Sequence, residues 1–486
     1  MKASLLREMT LYRYRYAIAY GLFAVLLVTL LTIDISNVPY GIGNSEMNSA
    51  VASNSLNPLS PRIADIVNFP YHILQKASIG LFGLSTLSIR LPSVILGLAA
   101  GLVLAVMLNT WFRRNVAIIS LMIASFSVPF ISSARLGVPT IMYTLLLLLT
   151  LLSAVKLTAK SKHDFLWKLL LLVSALLLLY VPFGVYTLLA LVIAGALHPH
   201  IRYQLTHTSK LKAAILSLLA LVLVAPIVIA SVYDHGVFKQ LFGLTAIEQS
   251  LQPHVLKETV ISLLKTLFLF SRPNAGETVS PFLNLTFSLF IAFGLIKVII
   301  DHHAARSYLL LIWLVFTVGM LLIDPGQLPL LFVPSILLLA IGIETFISEW
   351  YKLFPRNPYA RIGALFPITL IFVGLIAIAI TRYFYAYTYS DTTSAFHPEL
   401  RHIQKEIKAT PSMQLVVPAS QQSFYDIFRA KNDRLSVVTP EQMAPNGRRL
   451  VLSLTNTQVN ELPKKIVTSP MKTDAVLYRI YDSAKQ

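Results

Sequence analysis

The sequence predicts an all-α polytopic membrane domain of about eleven transmembrane helices, followed by a small C-terminal α/β soluble domain. Three observations carry this. Of the 486 residues 56% are hydrophobic and 13% charged, with a mean hydropathy of +0.69. Apolar runs close to the roughly 20 residues that span a bilayer recur along the chain. After Tyr389 the composition turns abruptly polar.

The first apolar run, near 16–35, follows the basic flank Lys2, Arg7, Arg13 and Arg15. It is long for a signal-peptide core and lacks a small-x-small cleavage site, so an uncleaved first span is expected. Further spans are expected near 92–111, 116–133, 139–157, 167–181, 184–198, 213–232, 281–300, 308–323, 328–347 and 362–383. Pro182-Phe183-Gly184 separates two short ones, which reads as a tight hairpin.

A formal net charge of +18 raises the question of nucleic acid, but the basic residues concentrate in short connections between spans. Membrane topology explains that better, and no nucleic-acid partner is expected. Connections bearing Arg113 and Arg114, Lys156 to Lys168, Arg202 to Lys212, Arg306, and Lys352 to Arg361 should be cytoplasmic. The alternate ones carry Glu46, Asp65, Asp234, Glu248, Glu258, Glu277 and Asp324. This places the N-terminus in the cytoplasm and the C-terminal domain outside a cell membrane. With no cysteine, the chain can hold neither a disulfide nor a thiolate metal site.

The membrane domain is expected over 1–389, with external loops at about 36–91 and 233–280. Both loops contain amphipathic stretches that read as helices lying on the membrane surface, the first beyond an Asn44 cap. Residues 390–486 make the soluble domain. Leu400, Ile403 and Ile407 have helical spacing, Ser423 to Ala430 reads as a short helix, and strand-like runs lie near 415–417, 435–438, 450–454, 465–467 and 475–480. No Gly-rich phosphate fingerprint assigns this part any chemistry.

The first loop is the most informative stretch. It opens Val38-Pro39-Tyr40-Gly41-Ile42-Gly43-Asn44-Ser45-Glu46, continues through Phe69-Pro70-Tyr71-His72, Leu81-Phe82-Gly83-Leu84 and Ser88-Ile89-Arg90-Leu91-Pro92-Ser93, and is followed by Ser132-Ser133-Ala134-Arg135. Together with Tyr233-Asp234-His235 and Leu328 to Pro334, this order resembles the protein O-mannosyltransferase and aminoarabinose-transferase type of the GT-C fold over about residues 10–350.

The resemblance implies an inverting transfer of a sugar from a polyprenyl-phosphate carrier to a cell-envelope glycan, lipid or protein on the outer face. Such a transfer needs a base for the acceptor hydroxyl and cations for the lipid phosphate, whose charge grows as the glycosidic bond breaks. By the same resemblance Glu46 is the candidate base, with Asp65 behind it. Arg135, Arg90, His72 and Lys76 are candidate phosphate contacts. The resemblance assigns no cofactor, and a divalent cation is compatible with the chemistry. The chain departs from its type at Ser45-Glu46, where members have Asp-Glu, and at Asn68 and Gln327, where members carry basic residues.

Each candidate also has a structural reading. Glu46 could be a solvated first-turn carboxylate, Asp65 a solvated loop acid, Arg135 a residue snorkelling to headgroups, Arg90 an interfacial anchor and His72 a satisfied interfacial ring. The Tyr383 to Tyr389 aromatics read as an interfacial belt. Two alternative functions stand beside transfer. One is a catalytically degenerate relative that binds lipid-linked glycan or scaffolds an envelope complex, for which Ser45 speaks. The other is a secondary transporter, against which the long loops and the scarcity of mid-membrane charges count.

Overall fold

The computed structural model describes residues 14–57, 66–158, 163–206, 208–244, 247, 252–268, 282–283, 285–353, 358–389, 393, 395–410, 412–429, 434–444, 447–455, 461–469 and 476–483. Among the described residues seven helical stretches are long and apolar enough to cross a membrane: Arg15–Thr32, Thr86–Trp111, Thr140–Thr158, Lys210–Tyr233, Ala305–Ile323, Pro325–Leu353 and Thr369–Tyr389. Helices Arg114–Ser125 and Val128–Arg135 make an eighth if counted as one broken span. Asp164–Leu177, Gly184–Leu197 and Leu285–Ile300 are shorter apolar helices at places where the sequence also predicts spans.

The span predicted near 116–133 is two helices that meet at a 57° bend. Its cause is local. Ser127 is extended and Pro129 lies in the first turn of the second helix, where a residue without an N–H begins a helix more readily than it continues one.

Close helix contacts are made by small residues, as expected where neighbouring lipid is as apolar as the side chains. Helices Leu285–Ile300 and Phe332–Leu353 cross at Gly294 and Gly342. A Cβ at Gly294 would lie 2.0 Å from the Leu338 carbonyl oxygen, and one at Gly342 1.9 Å from that of Phe290. A Cβ at Gly97 would fall 2.5 Å from that of Ala134, so helix Thr86–Trp111 also packs tightly against the bent span.

The first loop folds into two helices, Asn44–Ser55 and Phe69–Phe82. Gly43, rather than Asn44, is the N-cap of the first. The second loop contributes helices His235–Phe242 and Pro253–Phe268.

Two short strands, β1 (Ile42–Gly43) and β2 (Phe396–His397), pair antiparallel and join the first loop to the segment that leaves the last span. Beyond them lie β3 (Met413–Val416), β4 (Leu435–Val438), β5 (Gly447–Leu452), β6 (Lys465–Thr468) and β7 (Val476–Ser483), forming one sheet in the order β4-β3-β5-β7-β6. β3 is parallel to both neighbours, while β7 is antiparallel to β5 and β6. Helices Glu399–Ala409 and Gln422–Arg429 bury Leu400, Ile403, Phe424 and Tyr425. These side chains share an apolar cluster with Ile42, Met47, Ala50, Ile79 and Ile89 of the first loop and the helix after it. The sheet region is therefore packed onto helix Asn44–Ser55, the element that carries Glu46.

Candidate active site

Glu46 is fixed by its position in the helix. As the third helical residue it reaches back, its Oε2 accepting the N-cap N–H of Gly43 at 3.2 Å. Arg90 enters from helix Thr86–Trp111 and donates twice, Nε to Oε1 at 2.8 Å and Nη2 to Oε2 at 2.9 Å. The Gly137 N–H adds a bond to Oε1 at 2.7 Å. A carboxylate has about four lone-pair sites, and here four donors occupy them. Neither the Glu46 nor the Arg90 side chain has any exposed surface. Arg90 spends its remaining donors on the carbonyls of Ile35 (2.9 Å), Pro39 (3.1 Å) and Gly41 (2.6 Å). One ion pair thus ties the first loop, the helix after it and the end of the bent span together.

Arg135, the last residue of the bent span, is also sealed. It donates to the carbonyls of Leu30, Ile33 (2.7 Å) and Val38 (3.1 Å), so it caps the C-terminal end of the first span. Its guanidinium lies 5.5 Å from the Tyr383 ring centroid and 5.3 Å from that of Phe384. Tyr383 and Tyr387 are fully buried, whereas Tyr385 and Tyr389 are exposed. The expected interfacial belt is therefore divided: alternate tyrosines pack inward, and Tyr383 lies against Arg135.

The other candidates lie elsewhere. His72 Nδ1 meets Ser53 Oγ at 2.8 Å, and Gln75 accepts from Ser49 and Ser53 while donating to the carbonyls of Ile89 and Gly137. Tyr71 bonds Ser93 at 2.7 Å, and burial pushes its phenol well above the usual range, keeping it neutral. Lys76 Nζ donates to the carbonyls of Asn54 and Leu56 at the far end of helix Asn44–Ser55. Glu46 and Leu56 are ten residues apart, about 15 Å along the helix at 1.5 Å per residue, so Lys76 is held at the opposite end from Glu46. Asp65 lies outside the described residues.

What the helix presents at its N-terminal end is Asn44 and Ser45, both exposed. His397 stands beside them, its Nε2 3.2 Å from Asn44 Oδ1. Arg401 donates to Asn37 Oδ1, and burial raises the Tyr40 phenol against a lowering by Arg401 and a further raising by Glu399. Sequence reasoning missed His397. It follows the last span by a few residues and meets Asn44 353 positions away in the chain, a distance no periodicity bridges. Among the described residues no group of three or more His, Asp or Glu is arranged to hold a metal ion.

Residues 70–229 match the dolichyl-phosphate-mannose-protein mannosyltransferase family. No curated protein matches by sequence. Among solved structures, ArnT from Cupriavidus metallidurans bound to undecaprenyl phosphate is similar at TM-score 0.55 and 12% identity, over 96% of this chain and 98% of that one. The Archaeoglobus fulgidus oligosaccharyltransferase tethered to an acceptor peptide is similar at TM-score 0.52 and 13% identity, over 90% of this chain and 66% of that one. The same archaeal enzyme, AglB, in complex with an inhibitory peptide and a dolichol-phosphate gives a TM-score of 0.51 at 13% identity. This chain thus spans about two thirds of the archaeal protein's length. At these identities the likeness is one of fold.

Proposed function

We propose, from the premise that this chain is a multi-pass membrane protein of the GT-C glycosyltransferase type, that it moves a sugar from a polyprenyl-phosphate carrier to an envelope acceptor on the outer face. The observation that carries the proposal is the join at helix Asn44–Ser55. Its N-terminal end is held from beneath by the Glu46–Arg90 pair, and the β1–β2 pairing brings the C-terminal segment against it. An acceptor and a carrier lipid can meet at such a surface, where a polar exposed helix end lies beside the apolar spans.

In this reading Glu46 and Arg90 position the site, and Arg135 anchors the first span beneath it. With four donors on its oxygens and no exposed surface, Glu46 has no lone pair to offer an acceptor hydroxyl. The helix N-terminus and the exposed Arg401 supply positive potential for the donor phosphate at the same end. The ArnT structure contains undecaprenyl phosphate and the AglB structure dolichol-phosphate, which supports a lipid-phosphate carrier here.

The test is release of polyprenyl phosphate from a panel of polyprenyl-phosphate sugars by the purified protein in liposomes. Turnover with at least one donor is expected. A second reading is favoured by Ser45, exposed where the type has Asp: a degenerate relative that binds lipid-linked glycan without transferring it. Tight donor binding without turnover, together with turnover by Ser45→Asp, would establish that reading.

A further inference from the structure

We propose that a cavity at the end of the bundle away from Glu46 binds the phosphodiester headgroup of one anionic phospholipid, with the acyl chains running down the apolar wall below it. The cavity measures about 910 Å³, within the roughly 300–1,000 Å³ that holds small ligands. It opens where the bent span begins. Arg113 at its rim and Arg135 near Glu46 therefore lie at opposite ends of one broken span.

The rim is built from helix ends. Helices Arg114–Ser125 and Ala305–Ile323 start there, and Leu285–Ile300 and Phe332–Leu353 finish there. Three of the four repeat one pattern: Arg113 is followed by Val116, while Asp301 is preceded by Val298 and Glu344 by Ile341. Each apolar residue stands three positions further into the bundle than its charged neighbour. On a helix that spacing puts both on one face, about 4.5 Å apart along the axis. Val116, Val298 and Ile341 are all buried. The lining is charged at the mouth and apolar one turn below, the same division that a phospholipid has.

Charge selects the headgroup. Four bases and three acids line the cavity. Lys297 pairs with Asp301 at 2.9 Å and Lys352 with Glu349 at 2.6 Å, each within the end of one helix. Arg306 faces Glu344 at 3.9 Å, beyond hydrogen-bond length, and its guanidinium lies 5.4 Å from the Phe112 ring centroid. Arg113 has no acidic partner among the described residues. The surplus is one positive charge, beside two helix N-termini. A phosphodiester carries one negative charge, and its two free oxygens suit the guanidinium donors of Arg113 and Arg306. A nucleoside triphosphate would bring several charges against three carboxylates. Arg113, Arg306 and Lys352 also belong to connections whose charge predicts a cytoplasmic position, and basic pockets between membrane helices on that side suit lipid headgroups.

The experiment is native mass spectrometry of the full chain in detergent, titrated with dihexanoyl phosphatidylglycerol. One saturable site is expected on wild type. Arg113→Gln, a change at an exposed residue, should weaken it by at least about tenfold. Val116→Trp, which fills the wall below the rim, should weaken it as much with every charge in place. Dihexanoylglycerol, which has the chains without the phosphate, and ATP should each bind at least about tenfold more weakly than the phospholipid. Equal affinity of wild type and Arg113→Gln would overturn the site, as would equal binding of dihexanoylglycerol or tighter binding of ATP. Glycerophosphoglycerol, the headgroup without chains, separates the two sources of a phosphodiester: binding as tight as that of the lipid would overturn the lipid as occupant. None of these outcomes depends on sugar transfer.

Discussion

Glu46 and Arg90 form a two-point ion pair, at 2.8 and 2.9 Å, with no exposed surface on either side chain. Buried pairs of this kind contribute little net stability when compared with apolar replacements. Removing one partner is nonetheless costly, because the other is left charged and unsolvated. The value of the pair here is geometric. Through Gly41, Gly43 and Gly137 it sets the relative positions of the first loop, the surface helix and the bent span.

Arg135 is expected to matter for stability before it matters for binding. Arg135→Ala leaves the carbonyls of Leu30, Ile33 and Val38 without their donor, and should destabilise the protein by roughly 2–4 kcal/mol. Thermal unfolding in detergent measures this. Affinity for polyprenyl phosphate, measured on the folded fraction, should stay within about threefold of wild type. A selective loss of lipid binding with unchanged stability would make Arg135 a phosphate contact instead.

Gly41→Ala tests the join between the first loop and the C-terminal segment. The residue sits at φ +105° against the His397 backbone, so a side chain meets both strain and a clash. A cost on the order of 1–3 kcal/mol is expected for the backbone conformation alone. Limited proteolysis between residues 390 and 396 should accelerate, because β2 loses its partner. Proteolysis at the wild-type rate would show that the pairing does not hold this segment.

The charge pattern of the connections predicts residues 391–486 on the outer side. The chain has no cysteine, so Ser420→Cys introduces a single reporter on an exposed residue. Labelling in intact cells by a membrane-impermeant maleimide is expected. Labelling only after permeabilisation would invert the topology and remove the outer-face reading.

Much of the fold was legible because lipid-facing and core-facing helices both need long apolar runs, and such runs survive in a single sequence. The bend at Ser127 was not, since Pro129 lies inside an uninterrupted apolar stretch and only its position in a first turn reveals a new helix. The helices and strands after residue 390 were readable from their alternation. Their packing against helix Asn44–Ser55 was not. At the site, the motif around Glu46 singled out helix Asn44–Ser55, but sequence treats a loop carboxylate as solvated. Its partners, Arg90 and Gly137, stand 44 and 91 positions away, and contacts between elements leave no periodic trace. Tyr383 and Tyr385 differ for a related reason: a belt of aromatics reads alike on every face, whereas packing against Arg135 selects one.

The most direct test of the positioning role assigned to Glu46 is transfer by the doubly substituted Glu46→Gln, Arg90→Gln protein beside each single variant. Either single change should destabilise strongly, by about 3–5 kcal/mol, since it leaves one buried charge uncompensated. Removing both charges should recover much of that loss. The account predicts that the double variant, purified as a monodisperse folded protein, retains at least about a tenth of wild-type kcat, because the proton never passes through Glu46. A folded double variant whose kcat falls by the hundredfold or more that a general base contributes would contradict it and return Glu46 to the chemistry.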